Sequence, residues 1–219
     1  MRDVSKLTFK PIFRTIYPSV MDTMRNQADI DLENSPAIRV VNDIVVELIS
    51  DLHPKWSVAT QEWHALKSLP GGEIQQLHRD FQTFETAEAI LKHSWIQASA
   101  FIALEESTEL HVVPGCFAGA AVQAKAETIE IQRGQLLIFR GDLPHAGASY
   151  EEENTRLHCF IRVDGIDQDT NATEAVVWES NSDKERIDKL RKKNNDKGGK
   201  CAKCQRHFSK KNTLVKHKC

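Results

Sequence analysis

Between residues 95 and 163 the chain breaks into short apolar runs at 95–104, 110–113, 128–131, 135–139 and 156–163. Pro114-Gly115, Gly134, Gly141 and the polar stretch 151–155 divide most of them. Short runs bounded by turn formers carry the pattern of strands. A series of such strands, preceded by helix, suits two face-to-face sheets, the jelly roll of cupins. Upstream, Ser35-Pro36 places a capping side chain before a proline at the first helical position. Ile38, Val41, Val45, Leu48 and Leu52 follow at helical spacing, and His53-Pro54 closes one amphipathic helix. Residues 56–70 read as short runs ending at Pro70-Gly71-Gly72, residues 73–81 as a further strand, and 84–93 as a second short helix. The expected fold is mainly β with flanking helices.

At 219 residues and 40% hydrophobic, the chain can bury one core of ordinary domain size with a small appendage. The net charge of −2 hides an asymmetry: residues 183–219 hold 14 basic and 4 acidic side chains, leaving 15 basic and 27 acidic in the first 182. The acidic body and the basic tail should therefore meet different partners. The expected organisation is a domain over 1–178, a basic polar linker over 179–199 containing Gly198-Gly199, and a small module over 200–219. No stretch has the length of a membrane span or the build of a signal peptide, so we expect no membrane partner and a soluble protein of the cytoplasm or nucleus. Five cysteines, three of them within the last 19 residues, favour metal ligation over a secreted disulfide framework. Cys116 and Cys159 stand alone and read as small apolar core residues.

The chemistry is concentrated in few residues. His78 and Asp80 are two apart, so on a strand they share a face while Arg79 points away. Gln76 shares their parity and reads as a polar lining residue or a structural hydrogen-bonding group. His145 follows the turn Gly141-Asp142-Leu143-Pro144, where a rigid scaffold can present an imidazole to a cleft. Two neutral imidazoles and one carboxylate make the 2-His-1-carboxylate set of non-haem iron sites, which leaves coordination positions open for a cosubstrate and dioxygen. Arg156 supplies a cation for the far carboxylate of a diacid chelating the metal, because its planar fork matches a carboxylate. The string His78-Arg79-Asp80 also opens a protein-kinase catalytic loop, but Glu85 stands where that loop needs asparagine, and no Asp-Phe-Gly or glycine-rich loop is present.

These motifs, with Leu69-Pro70-Gly71-Gly72, Phe101-Ile102-Ala103-Leu104, His111-Val112-Val113-Pro114-Gly115 and Gly134-Gln135-Leu136-Leu137-Ile138-Phe139, resemble the double-stranded β-helix oxygenases that use Fe(II) and 2-oxoglutarate. Within them the chain is most similar to the phytanoyl-CoA dioxygenase-like group, over roughly residues 56–165. The resemblance implies a dioxygenase in which His78, Asp80 and His145 bind iron and Arg156 holds 2-oxoglutarate, hydroxylating an unidentified small molecule or protein. Two departures stand out: His158 occupies the place two after the arginine where relatives carry Ser or Thr, and Cys116-Phe117 follows Gly115 where the group has Ser-His. Arg156 and Arg162, six apart, also resemble the AlkB-type nucleic-acid demethylases.

In the tail, Cys201-x2-Cys204, Phe208, Leu214 and His217 carry the spacing of a ββα zinc finger and resemble the C2H2 family. Cys219, two residues past His217, is the candidate fourth zinc ligand, with His207 or a water as alternatives. The implied Zn(II) module would dock non-specific nucleic acid or protein; a solvated basic tail is the plain alternative. A rival reading of the whole chain is a nucleic-acid-binding or adaptor protein whose jelly roll is an inactive scaffold.

Overall fold

The longest strands of the chain lie side by side in this computed structural model, which describes residues 3–12, 22–169 and 172–180, Glu185, Lys189, residues 199–200 and residues 207–208. β3 (Trp56–Ser68) and β10 (Asn154–Val163) pair antiparallel, and β1 (Lys10–Pro11), β2 (Arg25–Asp29), β5 (Ala98–Ala103) and β8 (Leu136–Arg140) complete a six-stranded sheet ordered β1-β2-β3-β10-β5-β8. A second sheet is ordered β11 (Glu174–Ala175), β4 (His78–Arg79), β9 (His145–Gly147), β6 (Thr108–Val112) and β7 (Glu127–Ile131). Leu66, Phe101 and Ala103 of the larger sheet and Leu110, Val112 and Ile131 of the smaller share one buried cluster. The two sheets therefore face one another, and the architecture is the expected jelly roll.

The other face of the larger sheet is covered by α1 (Pro36–Leu52), whose span matches the expectation from its flanking prolines. Its buried face is Ile38, Asn42, Val45 and Ile49 rather than the predicted stripe, and Leu48 and Leu52 are exposed. Trp63 is the cause: its indole Nε1 is buried under the helix and donates to Asn42 Oδ1 at 2.9 Å, so a polar residue belongs in the stripe. Ile49, 1% exposed, contributes about 1.5–3 kcal/mol by burial. Ser35 makes no side-chain cap; Asp3 Oδ2 instead accepts from Ala37 N at 3.1 Å, placing an acceptor on an otherwise unpaired helical N–H. α2 (Thr83–His93) is held similarly by Glu174, whose carboxylate accepts from Thr83 N and Oγ1.

Residues 56–68 form one strand, not several runs, because β10 pairs with it from Asn154↔Ser68 to Val163↔Trp56 across a bulge between Cys159 and Ile161. By contrast the predicted strand over 73–81 shrinks to His78–Arg79. Cys116 and Cys159 are buried free thiols, and burial pushes Cys159 up to about 12, so it behaves as core.

Two compact units divide the chain, Met1–Val177 and Trp178–Cys219. In the second, β12 (Gly199–Lys200) pairs antiparallel with β13 (His207–Phe208). Cys201, Cys204, His217 and Cys219 lie outside the described residues. No helix among the described residues is long and apolar enough to cross a membrane.

Candidate metal centre

His78 and His145 meet because β4 and β9 pair at one position, His78 opposite His145, which brings their rings to 4.4 Å between centroids. Asp80 follows directly after β4. Phe81 beyond it packs against Gly141, where an added Cβ would stand 2.1 Å from the ring, and Phe81 N donates to Gly141 O. That glycine allows the strand carrying Asp80 to approach the turn carrying His145. The turn itself is tied by Arg140, whose Nε and Nη2 both donate to Asp142 at 2.9 Å.

One ligand atom from each of His78, Asp80 and His145 lies within 4.8 Å of the others, and all three residues are buried. Asp80 Oδ1 is 3.5 Å from His145 Nε2 and 3.9 Å from His78 Nε2. The second ring nitrogens are engaged by backbone: His78 Nδ1 donates to Gln76 O and His145 Nδ1 to Leu143 O, each at 2.9 Å. With the proton fixed at Nδ1, both Nε2 lone pairs face the carboxylate. That is the tautomer and orientation a divalent cation needs.

Electrostatics agree. Burial, then the neighbouring His145, lowers His78 to about 4, so its imidazole is neutral. Burial acts against the charge of Asp80, but His145 and its hydrogen bond hold the carboxyl well below the usual range. His145 is raised despite its burial by that same carboxylate. The carboxylate of Asp80 and the imidazole of His145 thus favour one another's charge, and a cation at this point would compete with a proton for the same Nε2 electrons.

Arg156, from β10, lies in the wall of the same cavity, which has a volume of about 180 Å³. It is 5% exposed, donates through Nη1 to Ser68 Oγ at 3.2 Å, and has no hydrogen-bond partner at Nε among the described residues. Among the described residues no carboxylate stands within 4 Å of it, unlike Arg25, which pairs with Asp22 at 2.7 Å. Burial lowers its pKa, and nearby Arg25 adds to the effect. An added Cβ at Gly147 would stand 3.2 Å from Arg156 Nη2 and 2.8 Å from Gln75 Oε1, so glycine keeps room beside the guanidinium.

Several expectations change here. Gln76 contributes its backbone carbonyl to His78, whereas Gln75 reaches the cavity and accepts from Gly147 N at 2.8 Å. The two-residue strand begins only at His78, so its parity does not extend back. Arg79 points away from the cavity as predicted, but into a buried lock: it bonds Glu174, Cys116 O, Gly119 O and Asp142 O. Arg162 is outside the cavity wall and pairs with Glu62. Ser68, Ser99 and Arg25 were not foreseen. No local motif marks them, since each reaches the site from a neighbouring strand.

No family model and no curated protein matches the chain. Solved structures do. HygX from Streptomyces hygroscopicus, determined with nickel and 2-oxoglutarate bound, is similar at a TM-score of 0.52 and 10% identity, over 75% of this chain and 76% of that one. A prolyl hydroxylase in complex with a hypoxia inducible factor peptide fragment, from Trichoplax adhaerens, gives 0.53 and 13% identity over 74% and 73%. The epimerase SnoN, in complex with Fe3+, alpha ketoglutarate and nogalamycin RO, gives 0.52 and 12% over 82% and 83%. Over the shares of the chain covered, it has the fold of these proteins.

Proposed function

We propose that the chain is an Fe(II)- and 2-oxoglutarate-dependent dioxygenase that couples oxidative decarboxylation of the oxoacid to hydroxylation of a second substrate. The observation that carries this reading is the convergence of His78, Asp80 and His145, both imidazoles turned Nε2-inward, in a cavity whose wall holds a buried guanidinium with no carboxylate partner among the described residues. Charge completes the case, because one aspartate offsets half of a divalent cation and Arg156 offsets the distal charge of a diacid. Iron, when bound, supplies the redox chemistry, with succinate and carbon dioxide as by-products. The HygX and SnoN structures, determined with a metal and the same oxoacid bound, support the choice of cofactor.

The chain's own residues do the rest. Arg156 binds the far carboxylate, and Ser68 Oγ fixes one arm of its fork. Phe101, under the guanidinium at 5.7 Å, and Phe160 give the cavity apolar walls that limit water. The cavity volume is below the usual pocket for a drug-sized ligand, roughly 300–1,000 Å³. It suits a small diacid and the reacting end of a substrate. The pairing of Arg162 with Glu62 gives no support to a demethylase of the AlkB type.

Anaerobic addition of 2-oxoglutarate to the Fe(II)-loaded protein is expected to produce a metal-to-ligand charge-transfer band, and Arg156→Ala to raise the oxoacid concentration needed by at least tenfold while iron still binds. A protein that binds iron but never gives the band would overturn the cofactor assignment.

For the tail we propose a Zn(II) knuckle made by Cys201, Cys204, His217 and Cys219, docking nucleic acid non-specifically or a protein through its basic surface. The antiparallel pairing of residues 199–200 with 207–208, which flanks Cys201-x2-Cys204, supports it. A stoichiometry of one zinc per chain that falls to zero in Cys201→Ser is the expected result.

A further inference from the structure

We infer that Ser99 and His158 are positioning residues that hold Asp80 to coordination through a single oxygen. The inference rests on the reading of His78, Asp80 and His145 as a metal site, and concerns what that site does with its carboxylate.

The two oxygens of Asp80 are sorted. Oδ1 faces His145 Nε2 at 3.5 Å and His78 Nε2 at 3.9 Å, the side where a cation would sit. Oδ2 faces the opposite way: it accepts from Ser99 Oγ at 2.5 Å and stands 3.5 Å from His158 Nε2. Both of these residues belong to the larger sheet, whereas Asp80 follows a strand of the smaller one. Ser99 lies opposite Phe160 in the β5–β10 register, and His158 opposite Phe101. The contact therefore fixes the carboxylate from across the sandwich, where β4 itself has too few ladder bonds to do so.

His158 has little else to do. Its ring is held between Phe101, at 5.0 Å between centroids, and Phe160, edge-on at 4.5 Å. It is 5% exposed, and among the described residues its Nε2 makes no hydrogen bond that meets ordinary geometry. A buried polar nitrogen left in that state costs about 1–3 kcal/mol. Aimed at Asp80 Oδ2 from 3.5 Å, it closes to a full bond with a small shift, as active-site hydrogen bonds do when their ligand arrives. His158 also stands two residues after Arg156, on the same face of β10, where the resembled oxygenases carry a short hydroxyl side chain. In this chain Ser68 bonds the arginine, and the larger ring at 158 reaches past it to the aspartate.

A carboxylate free to rotate can chelate a metal through both oxygens and occupy a position that a cosubstrate needs. With Oδ2 bonded by Ser99 and His158 Nε2 poised beside it, only Oδ1 remains. Three protein atoms then cap one face, leaving the opposite face for a chelating oxoacid and dioxygen.

The test uses the full chain and Co(II) as a stable probe of the site, with affinity read by titration and ligand geometry by the visible d–d bands. Outer partners of metal ligands typically change affinity by 10–100-fold. Ser99→Ala and His158→Phe are each expected to weaken Co(II) by about tenfold and to alter the band envelope. His158→Gln, which can place an amide N–H near the position of Nε2, is expected to stay within about threefold of the parent. Parent-like affinity and bands in both Ser99→Ala and His158→Phe would overturn the inference. So would a loss in His158→Gln as large as in His158→Phe, since the imidazole would then be a ligand itself. If His158→Phe fails to fold, Ser99→Ala decides alone. A parent protein that binds no Co(II) would instead bring down the metal site, and this inference with it.

Discussion

β3 and β10 pair along nearly their whole length, from Asn154↔Ser68 to Val163↔Trp56, whereas β4 meets β9 at the single pair His78↔His145. The larger sheet is held by its ladder and by the apolar cluster under α1, with Trp63, Ile49 and Ile161 nearly or fully buried. Around its ligand strand, the smaller sheet is held by side chains. Arg79, between the two proposed ligands His78 and Asp80, donates to three backbone carbonyls and to Glu174, and Glu174 in turn caps α2. The contrast teaches that the site's precision comes from a buried guanidinium and from the facing sheet, because two-residue strands supply few bonds of their own. On the proposed function, oxoacid recognition would fall to the long-laddered sheet through Arg156, and metal recognition to the sheet that is braced by side chains.

If that division is right, damage to each sheet should have a different signature. The largest effect is expected for Arg79→Met, which leaves buried carbonyls and Glu174 without their donor and should cost about 3–5 kcal/mol in urea unfolding. It should also weaken metal binding at least tenfold. Ile49→Ala, in the core of the larger sheet, should cost about 2–5 kcal/mol yet leave metal affinity within threefold. Equal metal loss in both variants would erase the distinction.

A smaller effect concerns pH. Burial, then nearby His158, lowers His64 on β3 from 6.5 to about 4. As pH falls below 6.5 the unfolded chain takes up this proton before the folded one, so stability is full above 6.5 and is lost progressively down to about 4. Between pH 6.5 and 5 the loss from this group is about 2 kcal/mol. His78 acts in the same direction in metal-free protein, while the raised His145 opposes it, its contribution being present at low pH and lost as pH rises through its folded value. Urea unfolding of metal-free His64→Gln at pH 7 and pH 5 should therefore show a shallower fall than the parent. An unchanged slope would remove His64 from the account.

The smallest effect is expected at Leu52, 57% exposed although it continues the helical apolar pattern. Leu52→Ala should change stability by less than about 0.5 kcal/mol. A loss comparable to Ile49→Ala would mean that this end of α1 is covered in solution.

Legibility in the sequence tracked the range of the interaction concerned. The ends of α1 were readable because Pro36 and His53-Pro54 act on their own backbone, and β5 to β8 because apolar runs and turn formers are local. β2 was not: Arg25-Asn26-Gln27-Ala28-Asp29 has no apolar alternation, and it becomes a strand only because β3 offers a partner edge. The buried face of α1 was misjudged for the same kind of reason, since Asn42 is inside only to answer Trp63. At the site, the three proposed metal donors and the arginine were visible as residue types in order. Ser68 and Ser99 were invisible, and His158 showed only as a departure from a resemblance.

From its residues alone, then, this chain declared which donors it possesses, how they are spaced and that strands would carry them, because side-chain chemistry and local backbone preference travel with the sequence. Which Asp80 oxygen faces the imidazoles, which nitrogen of each histidine meets a backbone carbonyl, and that a guanidinium from another sheet has no acid beside it among the described residues were decided by tertiary structure. Those facts depend on the register of strands far apart in the chain, and register is set by long-range pairing and burial that no local pattern encodes.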